Sequence, residues 1–529
     1  MGPELILEIR GRTLPGETHS EVILSVSIAF QRSHNSISRL WAASFLSIAL
    51  CSTAWADLAG EIAACIDRAN LGKATISVSV VDADTGRRRA SHHGSKSMLP
   101  ASNMKILTTA AALDTLGPQF EFQTKLIWDG KKLMVVSDGD PSLADPELAD
   151  ELRRINSNWG QPDALVNAWT EAISRHQIGQ IDQLVIDDRI FDRQLSHPDW
   201  PANQRLRHYQ AQVSGFNYHL NVLHCYPRPA GTGRNDVSHV EPKSPWLRHT
   251  DKTRADRSSD APSGIAVTRP DTSNTLTFTG NVKYVQRDPL RVTMHDPPNF
   301  FAELLAHRLT ASGTTVKQTT TATASHLPAR GTLIEPIAMT PLATVLTRCN
   351  RDSENLYAEA LLKRIAFATT GKPGTWPTGC AVIRSTILNR IPSYSGPLVV
   401  ADGSGLSRRN RVSAQLMTSL LHSIHQDDRV ASVFLESLAL AASSGTMKKR
   451  FRSCDLHSAM VRAKSGYIRG VCSLSGYVTA PNGRTCCFSI LINDLQKPLG
   501  TAQRFQEKIV ALIAKDLSTS QSLTAVEGG

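Results

Sequence analysis

Strand-like segments lie at residues 74–82 and again at 471–494, and helical segments lie between them. Residues 74–82, ATISVSVVD, alternate along the chain and are rich in β-branched side chains, which is typical of a strand. Near the other end, residues 471–480 and 486–494 flank Asn482-Gly483, a dipeptide that favours a β-hairpin. If these strands share one antiparallel sheet, the fold is α+β and its main domain is split in sequence.

The middle of the chain has a different character. Short strand-like runs, such as LVIDD at 184–188 and TLTFTG at 275–280, are separated by polar loops. Residues 226–272 hold few side chains that could build a core. We therefore expect a large, mostly β insert at 126–335.

The length and composition agree with this plan. At 529 residues the chain is long enough for about three domains, or for one domain with insertions. With 41% apolar and 20% charged residues it is not extensively disordered. The predicted division is an N-terminal extension with a signal peptide (1–56), the main domain in two parts (57–125 and 336–529) and the insert (126–335).

An uncharged apolar segment lies near the N-terminus. Residues 40–56, LWAASFLSIALCSTAWA, follow a basic flank and end in Ala54-Trp55-Ala56, a pattern that signal peptidase cuts. Their apolar centre is about a dozen residues long, and a transmembrane helix needs roughly 20. We expect a signal peptide that is cut after Ala56 and sends the protein to the periplasm; a buried core helix is the alternative. Because residues 1–31 are partly acidic, we expect the true start to lie further downstream.

Charge and cysteine content narrow the classes of partner. The net charge of +11 is spread along the chain without a basic cluster, so nucleic-acid binding is not predicted. Of the nine cysteines, only Cys51 lies in the signal segment; an oxidising compartment permits a bridge such as Cys454 with Cys472, but the sequence does not establish one. The chain has neither a CxxC nor a His-Glu-x-x-His motif, and we expect no metal site.

A single Ser-x-x-Lys sequence runs from Ser102 to Lys105. It follows Pro100 and opens an alanine- and leucine-rich helical run that stops at Gly117. Residues three apart share one face of a helix, so the Lys105 amine can reach the Ser102 hydroxyl. A serine at a helix start also lies where backbone N–H groups can hold a developing oxyanion.

Two further short motifs follow in order. Ser353-x-Asn355 heads a helical run, and Lys464-Ser465-Gly466 begins a strand-like stretch ahead of the C-terminal hairpin. Taken alone, Ser353 is readily interpreted as an ordinary helix N-cap. Together with Ser-x-x-Lys, however, the motifs form the three-element pattern of serine acyltransferases that act on penicillins and D-alanyl peptides.

The sequence around these motifs resembles the class C low-molecular-mass penicillin-binding proteins, the D-alanyl-D-alanine carboxypeptidase/endopeptidases of the penicillin-binding protein 4 type. The likeness extends from about residue 60 to 515. The segments that carry it are LPASNMKILTTAAALDTLGP at 99–118, GDPSL at 139–143, GTWPTG at 374–379, ADGSGLSRRN at 401–410, SGTMKKR at 444–450 and AKSGYIRGVCSLSGYV at 463–478. In that family a large insert splits the penicillin-binding, serine β-lactamase-like domain, as expected here.

Two positions depart from the family pattern. The third motif reads Lys-Ser-Gly instead of the usual Lys-Thr-Gly, which keeps the hydroxyl at Ser465. In the insert, Gln204 follows Trp200-Pro201, at a place where the family often has an acidic residue that faces the amine end of the peptide substrate. The family's usual recognition of a diamino acid therefore does not follow for this chain.

The resemblance and the chemistry of the side chains imply a catalytic role for five residues. We expect Ser102 to be the nucleophile and Lys105 to be the base that takes its proton, with a pKa lowered by burial and by the Lys464 cation. Ser353 would pass the proton to the leaving nitrogen, and Asn355 would orient Lys105 and bind the substrate amide. No metal or organic cofactor is required.

The predicted substrate-binding residues are Ser465, Gly466 and Tyr467. The backbone N–H groups of Ser102 and Tyr467 would form the oxyanion hole, while Lys464 and Ser465 would meet the terminal carboxylate. Four more residues are interpreted as supporting or structural: Asn350, Glu359, Asp402 and Ser404.

The function that follows is cleavage of D-alanyl bonds in peptidoglycan stem peptides through an acyl-enzyme, with β-lactams as covalent inhibitors. Two alternatives remain open on the sequence. A serine β-lactamase shares the three motifs, and a non-catalytic wall-binding or antibiotic-sensing protein could keep the fold. The basic surface suits an anionic wall or membrane surface, so peripheral association with either is a further expectation.

Overall fold

The computed structural model describes residues 58–149, 163–229, 235–256, 264–285, 287–323, 326 and 330–519. The predicted signal peptide and its cleavage site lie outside these residues.

The strands are numbered in chain order. They are β1 (Thr75–Asp82), β2 (Arg88–His92), β3 (Glu121–Trp128), β4 (Lys132–Ser137), β5 (Gln180–Ile181), β6 (Gln183–Asp187), β7 (Val222–Cys225), β8 (Arg228–Pro229), β9 (Asn235–Asp236), β10 (Val240–Glu241), β11 (His249–Arg254), β12 (Gly264–Thr268), β13 (Leu276–Asn281), β14 (Leu290–Thr293), β15 (Thr315–Val316), β16 (Thr319–Thr321), β17 (Thr332–Pro341), β18 (Ala439–Leu440), β19 (Met460–Ile468), β20 (Val471–Thr479) and β21 (Thr485–Asn493).

The helices that build the core and the site are numbered in the same way. They are α1 (58–67), α2 (Met104–Leu116), α3 (Ala164–Arg175), α4 (Pro297–Ala311), α5 (Leu342–Asn350), α6 (Asn355–Thr370), α7 (Trp376–Arg390), α8 (Ala414–His425), α9 (Ala431–Ser437) and α10 (Leu499–Thr519).

The main sheet joins the two ends of the chain. Its six antiparallel strands lie in the order β18-β19-β20-β21-β1-β2. β1 pairs with β21 along its whole length, from Thr75 opposite Asn493 to Asp82 opposite Cys486. The α+β fold with a split main domain, expected from the strand-like ends of the chain, is confirmed.

Both faces of the main sheet are buried. On β21, Cys486 and Phe488 lie in the core that α1 and α10 cover, whereas Cys487 and Leu491 lie in the core of helices on the other side. Successive strand residues point to opposite faces, which explains the alternation. A continuous apolar run such as β21 is what a strand covered on both faces requires.

Helix α2 runs through the interior. Every residue from Met104 to Leu113 is buried, and it packs mainly against α6 and α7. A helix that is covered on all sides belongs in a core. Lys105 lies in its first turn, so the helix that carries this side chain also removes it from water.

The insert is mostly β, as predicted. It contains a five-stranded sheet in the order β16-β6-β4-β3-β17, two three-stranded sheets and the helices α3 and α4. The predicted domain boundaries at 125/126 and 335/336 fall inside β3 and β17, which pair with each other in this sheet. The division into domains stays a prediction.

The cysteines in the described part of the chain, from Cys65 to Cys487, are all free thiols. Cys454 and Cys472 form no bridge; their sulfurs contact Glu507 and Gln506 instead. Within the same part of the chain, none of the helices has both the length and the apolar content needed to cross a membrane.

Candidate active site

Ser102 lies in a short 3-10 turn, Ala101–Asn103, that leads directly into α2. The predicted helix behind Pro100 is therefore present and begins at Met104. The loop 401–410 closes against this turn at Gly405, which has a φ of 86°. A Cβ at Gly405 would overlap the carbonyl oxygen of Ala101, so the close approach requires glycine.

The Lys105 amine points at the Ser102 hydroxyl. Its Nζ lies 3.3 Å from Ser102 Oγ, and it also donates to Asn355 Oδ1 at 2.6 Å and to the Ser404 carbonyl oxygen at 3.0 Å. Two of these three partners are oxygens that can only accept, so they take two N–H groups. In a neutral amine the remaining position is a lone pair, and it faces Ser102.

Burial lowers the pKa of two lysines at the site, Lys105 and Lys464. Lys105 and Lys464 are both fully buried. Burial lowers the pKa of Lys105, while nearby Cys349, Glu359 and Asp402 act in the opposite direction. Burial, followed by repulsion from Lys105, lowers the pKa of Lys464 well below its usual range. Because two buried ammonium groups repel each other, one of the two lysines loses its proton more readily than an isolated lysine would.

The second motif meets the first through its asparagine. Asn355 begins α6; its Oδ1 accepts from Lys105 and its Nδ2 donates to the Tyr209 carbonyl oxygen at 2.8 Å. The side-chain amide is therefore fixed between Lys105 and the Tyr209 carbonyl oxygen of the insert. The expectation that Asn355 orients Lys105 agrees with this geometry, and the second N–H of Nδ2 would be the donor for a hydrogen bond to the substrate amide.

Ser353 stands in the turn between α5 and α6 with a φ of 69°. The N-cap of α6 is Glu354, so the alternative interpretation of Ser353 as an ordinary N-cap is wrong. Among the described residues, its hydroxyl makes no direct hydrogen bond to Ser102 or Lys105. The relay role expected for Ser353 therefore stays a prediction.

Buried carboxylates hold the loop that supplies the Ser404 carbonyl. Glu359 accepts from the backbone N–H groups of Gly403 at 3.0 Å and Ser404 at 2.8 Å, and from the Trp376 indole at 2.8 Å. Asp402 accepts from the Gly405 N–H at 2.8 Å. The two acidic residues thus fix the backbone that orients Lys105.

The third motif lies on β19 beside the Ser102 turn. The Lys464 Nζ donates to the Ser465 carbonyl oxygen at 2.8 Å, and the Ser465 hydroxyl to Thr446 Oγ1 at 2.8 Å. Gly466 faces the turn so closely that a Cβ there would lie 2.8 Å from the Ser102 nitrogen and 3.1 Å from the Asn103 nitrogen. The glycine of the motif is therefore a packing requirement.

The outer edge of β19 is open where it passes the site. β20 pairs with β19 along its whole length, but β18 covers only Arg462 and Ala463 on the other side. The stretch from Lys464 to Tyr467 therefore offers backbone groups to an added strand. The Tyr467 side chain is 54% exposed.

The structure thus brings together Ser102, Lys105, Asn355 and the strand of Lys464, Ser465, Gly466 and Tyr467, with Ser353 at the rim. Sequence reasoning missed two direct contacts, the carbonyl oxygens of Ser404 and Tyr209. A backbone carbonyl leaves no mark on residue identity; only the glycines around Ser404 signalled an unusual backbone there.

Comparison with known proteins identifies the family. The model of the D-Ala-D-Ala carboxypeptidase 3 (S13) family matches residues 58–515. The chain belongs to this family. The resemblance indicated by the sequence motifs is thereby confirmed.

Relatives and solved structures agree with the S13 assignment. The chain is 29% identical over 486 residues to a D-alanyl-D-alanine carboxypeptidase from an Actinomadura species, covering 87% of this chain and 85% of the relative. It is 24% identical over 418 residues to the D-alanyl-D-alanine carboxypeptidase DacB of Haemophilus influenzae, covering 76% and 82%. Penicillin binding protein 4 from H. influenzae has the same fold, with a TM-score of 0.69 at 22% identity over 86% of this chain and 98% of that one.

The close approach of Gly466 to the nucleophile turn generates a prediction. Replacing Gly466 with alanine should push β19 away from Ser102 and slow acylation by penicillin by about 100-fold, since a displacement near 1 Å costs a reaction that much. Stopped-flow measurement of acylation, with circular dichroism to verify folding, checks this. Gly60→Ala is the control, because a Cβ at Gly60 meets no atom within 4 Å. Acylation of a folded Gly466→Ala protein at the wild-type rate would contradict the proposed contact.

Proposed function

We propose that this S13 protein is a serine D-alanyl-D-alanine carboxypeptidase/endopeptidase that cleaves peptidoglycan stem peptides through an acyl-enzyme on Ser102. The observation that carries the proposal is the set of contacts at the Lys105 amine. Asn355 Oδ1 and the Ser404 carbonyl oxygen occupy two positions on the nitrogen, and Ser102 Oγ occupies the third. This is the arrangement that a neutral lysine needs to accept the serine proton.

The acylation step follows from this arrangement. Ser102 Oγ attacks the carbonyl carbon of the penultimate D-alanine while its proton moves to Lys105 Nζ. The C–N bond then breaks, and the proton passes to the leaving amine, with Ser353 as the proposed relay once the substrate brings the groups together. Water subsequently hydrolyses the ester and frees Ser102. Each step uses protein side chains and water alone.

Substrate binding is proposed along the open edge of β19. A peptide added beside Ser465 and Gly466 would place its scissile carbonyl near the backbone N–H groups of Ser102 and Tyr467, which are the proposed oxyanion hole. Ser465 would hydrogen-bond the terminal carboxylate through its hydroxyl. Lys464 is buried and its amine donates to the Ser465 carbonyl oxygen, so it would hold Ser465 in place and not contact that carboxylate directly.

The protein would be exported and would act on the cell wall. The segment ending at Ala56 would direct the protein to the periplasm and be removed there. Peptidoglycan stem peptides would be its substrates and β-lactams its covalent inhibitors; a solved structure of H. influenzae penicillin binding protein 4 is in complex with a β-lactam. The net charge of +11 favours peripheral association with an anionic wall or membrane surface.

The catalytic assignment predicts where penicillin attaches. Wild-type protein labelled with a fluorescent penicillin should yield one acylated peptide, the one that contains Ser102, by mass spectrometry. The wild type should also release D-alanine from a pentapeptide. Ser102→Ala should lose both reactions because the attacking oxygen is gone, and Lys105→Ala should slow both by about 100-fold or more because the base is gone. Ser423→Ala, a change at a serine on α8 remote from the motifs, is the control. Acylation at another residue would overturn the assignment, and no D-alanine release by the wild type would favour a non-catalytic protein.

The lifetime of the penicilloyl-enzyme separates the proposal from a β-lactamase. A carboxypeptidase site should hold the penicilloyl group for many minutes after free penicillin is removed. Loss of label within seconds, with stoichiometric excess of hydrolysed penicillin, would instead support the β-lactamase alternative. Intact-protein mass spectrometry over time measures this directly.

A further inference from the structure

Three side chains with metal-binding chemistry converge in the insert, and none of them contacts Ser102 or Lys105 among the described residues. They are His219, in the turn before β7, His224 on β7 and Glu241 on β10. One donor atom from each lies within 4.8 Å of the others. Glu241 is directly opposite His224 in the antiparallel pairing of β10 with β7, so their side chains share one face of the sheet.

The ring nitrogens of the two histidines carry the argument. His219 Nδ1 lies 2.8 Å from the Val222 carbonyl oxygen, which can only accept, so this nitrogen carries the ring proton. In a neutral ring the lone pair is then on Nε2. His219 and His224 are 1% and 6% exposed, and the Nε2 atom of each is buried without a hydrogen-bond partner in the described part of the chain.

Such orphaned nitrogens are costly unless something binds them. A buried acceptor without a partner loses its hydration for nothing in return. The bond from His219 Nδ1 to a backbone carbonyl is the usual orienting partner of a histidine ligand.

The donor set selects the metal. Two imidazole nitrogens and one carboxylate match the His₂Glu combination that binds Zn²⁺ tetrahedrally. Ligand atoms about 2.1 Å from such an ion are about 3.4 Å apart, so the three donors would close in by at most about 1.4 Å. Glu241 is half-buried, and its carboxylate accepts from Tyr226 Oη at 3.0 Å, which would orient it as a ligand.

Charged groups of both signs surround the cluster. Arg291 lies opposite His224 on β14, but its guanidinium is paired with Glu147 at 3.3 Å. His239 Nε2 lies 3.6 Å from the Glu241 carboxylate at the exposed side of the cluster. The carboxylate of Glu241 is thus the acidic group of the cluster and would partly offset the charge of the ion.

We propose that His219, His224 and Glu241 form a Zn²⁺ site that ties β10 and the turn before β7 to β7, with water as the fourth ligand. The backbone of this turn is strained, which a bound ion would help to stabilise. His219, Leu220 and Asn221 have φ values of 53°, 59° and 54°, which residues other than glycine rarely adopt in succession. The proposal departs from the sequence-based expectation of no metal site, because ligands spaced at 219, 224 and 241 match none of the zinc motifs sought.

The test measures metal and not catalysis, so it stands or falls independently of the proposed function. The full-length protein is stripped with a chelator, exposed to Zn²⁺, passed through gel filtration and analysed for bound zinc. The wild type should retain one zinc per chain, and its Tm should rise on zinc addition. His219→Ala and His224→Ala should each weaken binding by more than the roughly 100-fold that loss of an orienting partner costs. His176→Ala, at an exposed histidine of the insert, is the matched control and should bind as the wild type does.

Co²⁺ added to the stripped wild-type protein provides a second measurement that does not depend on whether the variants fold. The absorption bands of tetrahedral cobalt with nitrogen ligands should appear and saturate at one equivalent. Two results would overturn the proposal. One is a wild type that retains no zinc and shows no such bands, which would leave the histidine pair bridged by water. The other is equal retention by the His224→Ala and His176→Ala proteins.

Discussion

The arrangement of the site depends on the two hydrogen bonds that hold the Lys105 amine in place. A buried lysine is costly in its charged form, and it becomes useful when its nitrogen is held so that a lone pair faces a hydroxyl. Asn355 Oδ1 and the Ser404 carbonyl oxygen accept these hydrogen bonds, at 2.6 and 3.0 Å. Each acceptor can orient the Lys105 amine only if its own position is fixed.

Each acceptor is fixed by a different part of the chain. Glu359 anchors the backbone N–H groups of Gly403 and Ser404, and the Tyr209 carbonyl of the insert holds the Asn355 amide. The insert thereby belongs to the structure of the site and not only to its rim. The contacts at Lys105 therefore depend on the insert as well as on the helices of the main domain.

The sequence predicted the side chains of the site better than its backbone. Ser102, Lys105, Asn355 and Lys464 could be found because motif chemistry requires those residue types at those spacings. The carbonyl groups of Ser404 and Tyr209 could not, since any residue carries one. The α+β fold followed from the strands at both ends. The predicted boundaries, however, cut β3 and β17, which are neighbours in the insert sheet, because the pairing of these two strands is not visible in the sequence. The histidine cluster escaped notice because its members come together only through the pairing of β7 with β10.

The pH dependence of penicillin acylation tests the central claim most directly. If neutral Lys105 is the base, the rate should rise with pH and level off, with a midpoint below 10.5, the ordinary value for lysine, because burial lowers the Lys105 pKa. Glu354, whose pKa burial raises to about 7, also titrates below that limit, so Glu354→Gln is the control and should keep the rise. A rate that is constant from about pH 5 to pH 10, or a rise that disappears in Glu354→Gln, would contradict the assignment of Lys105 as the base.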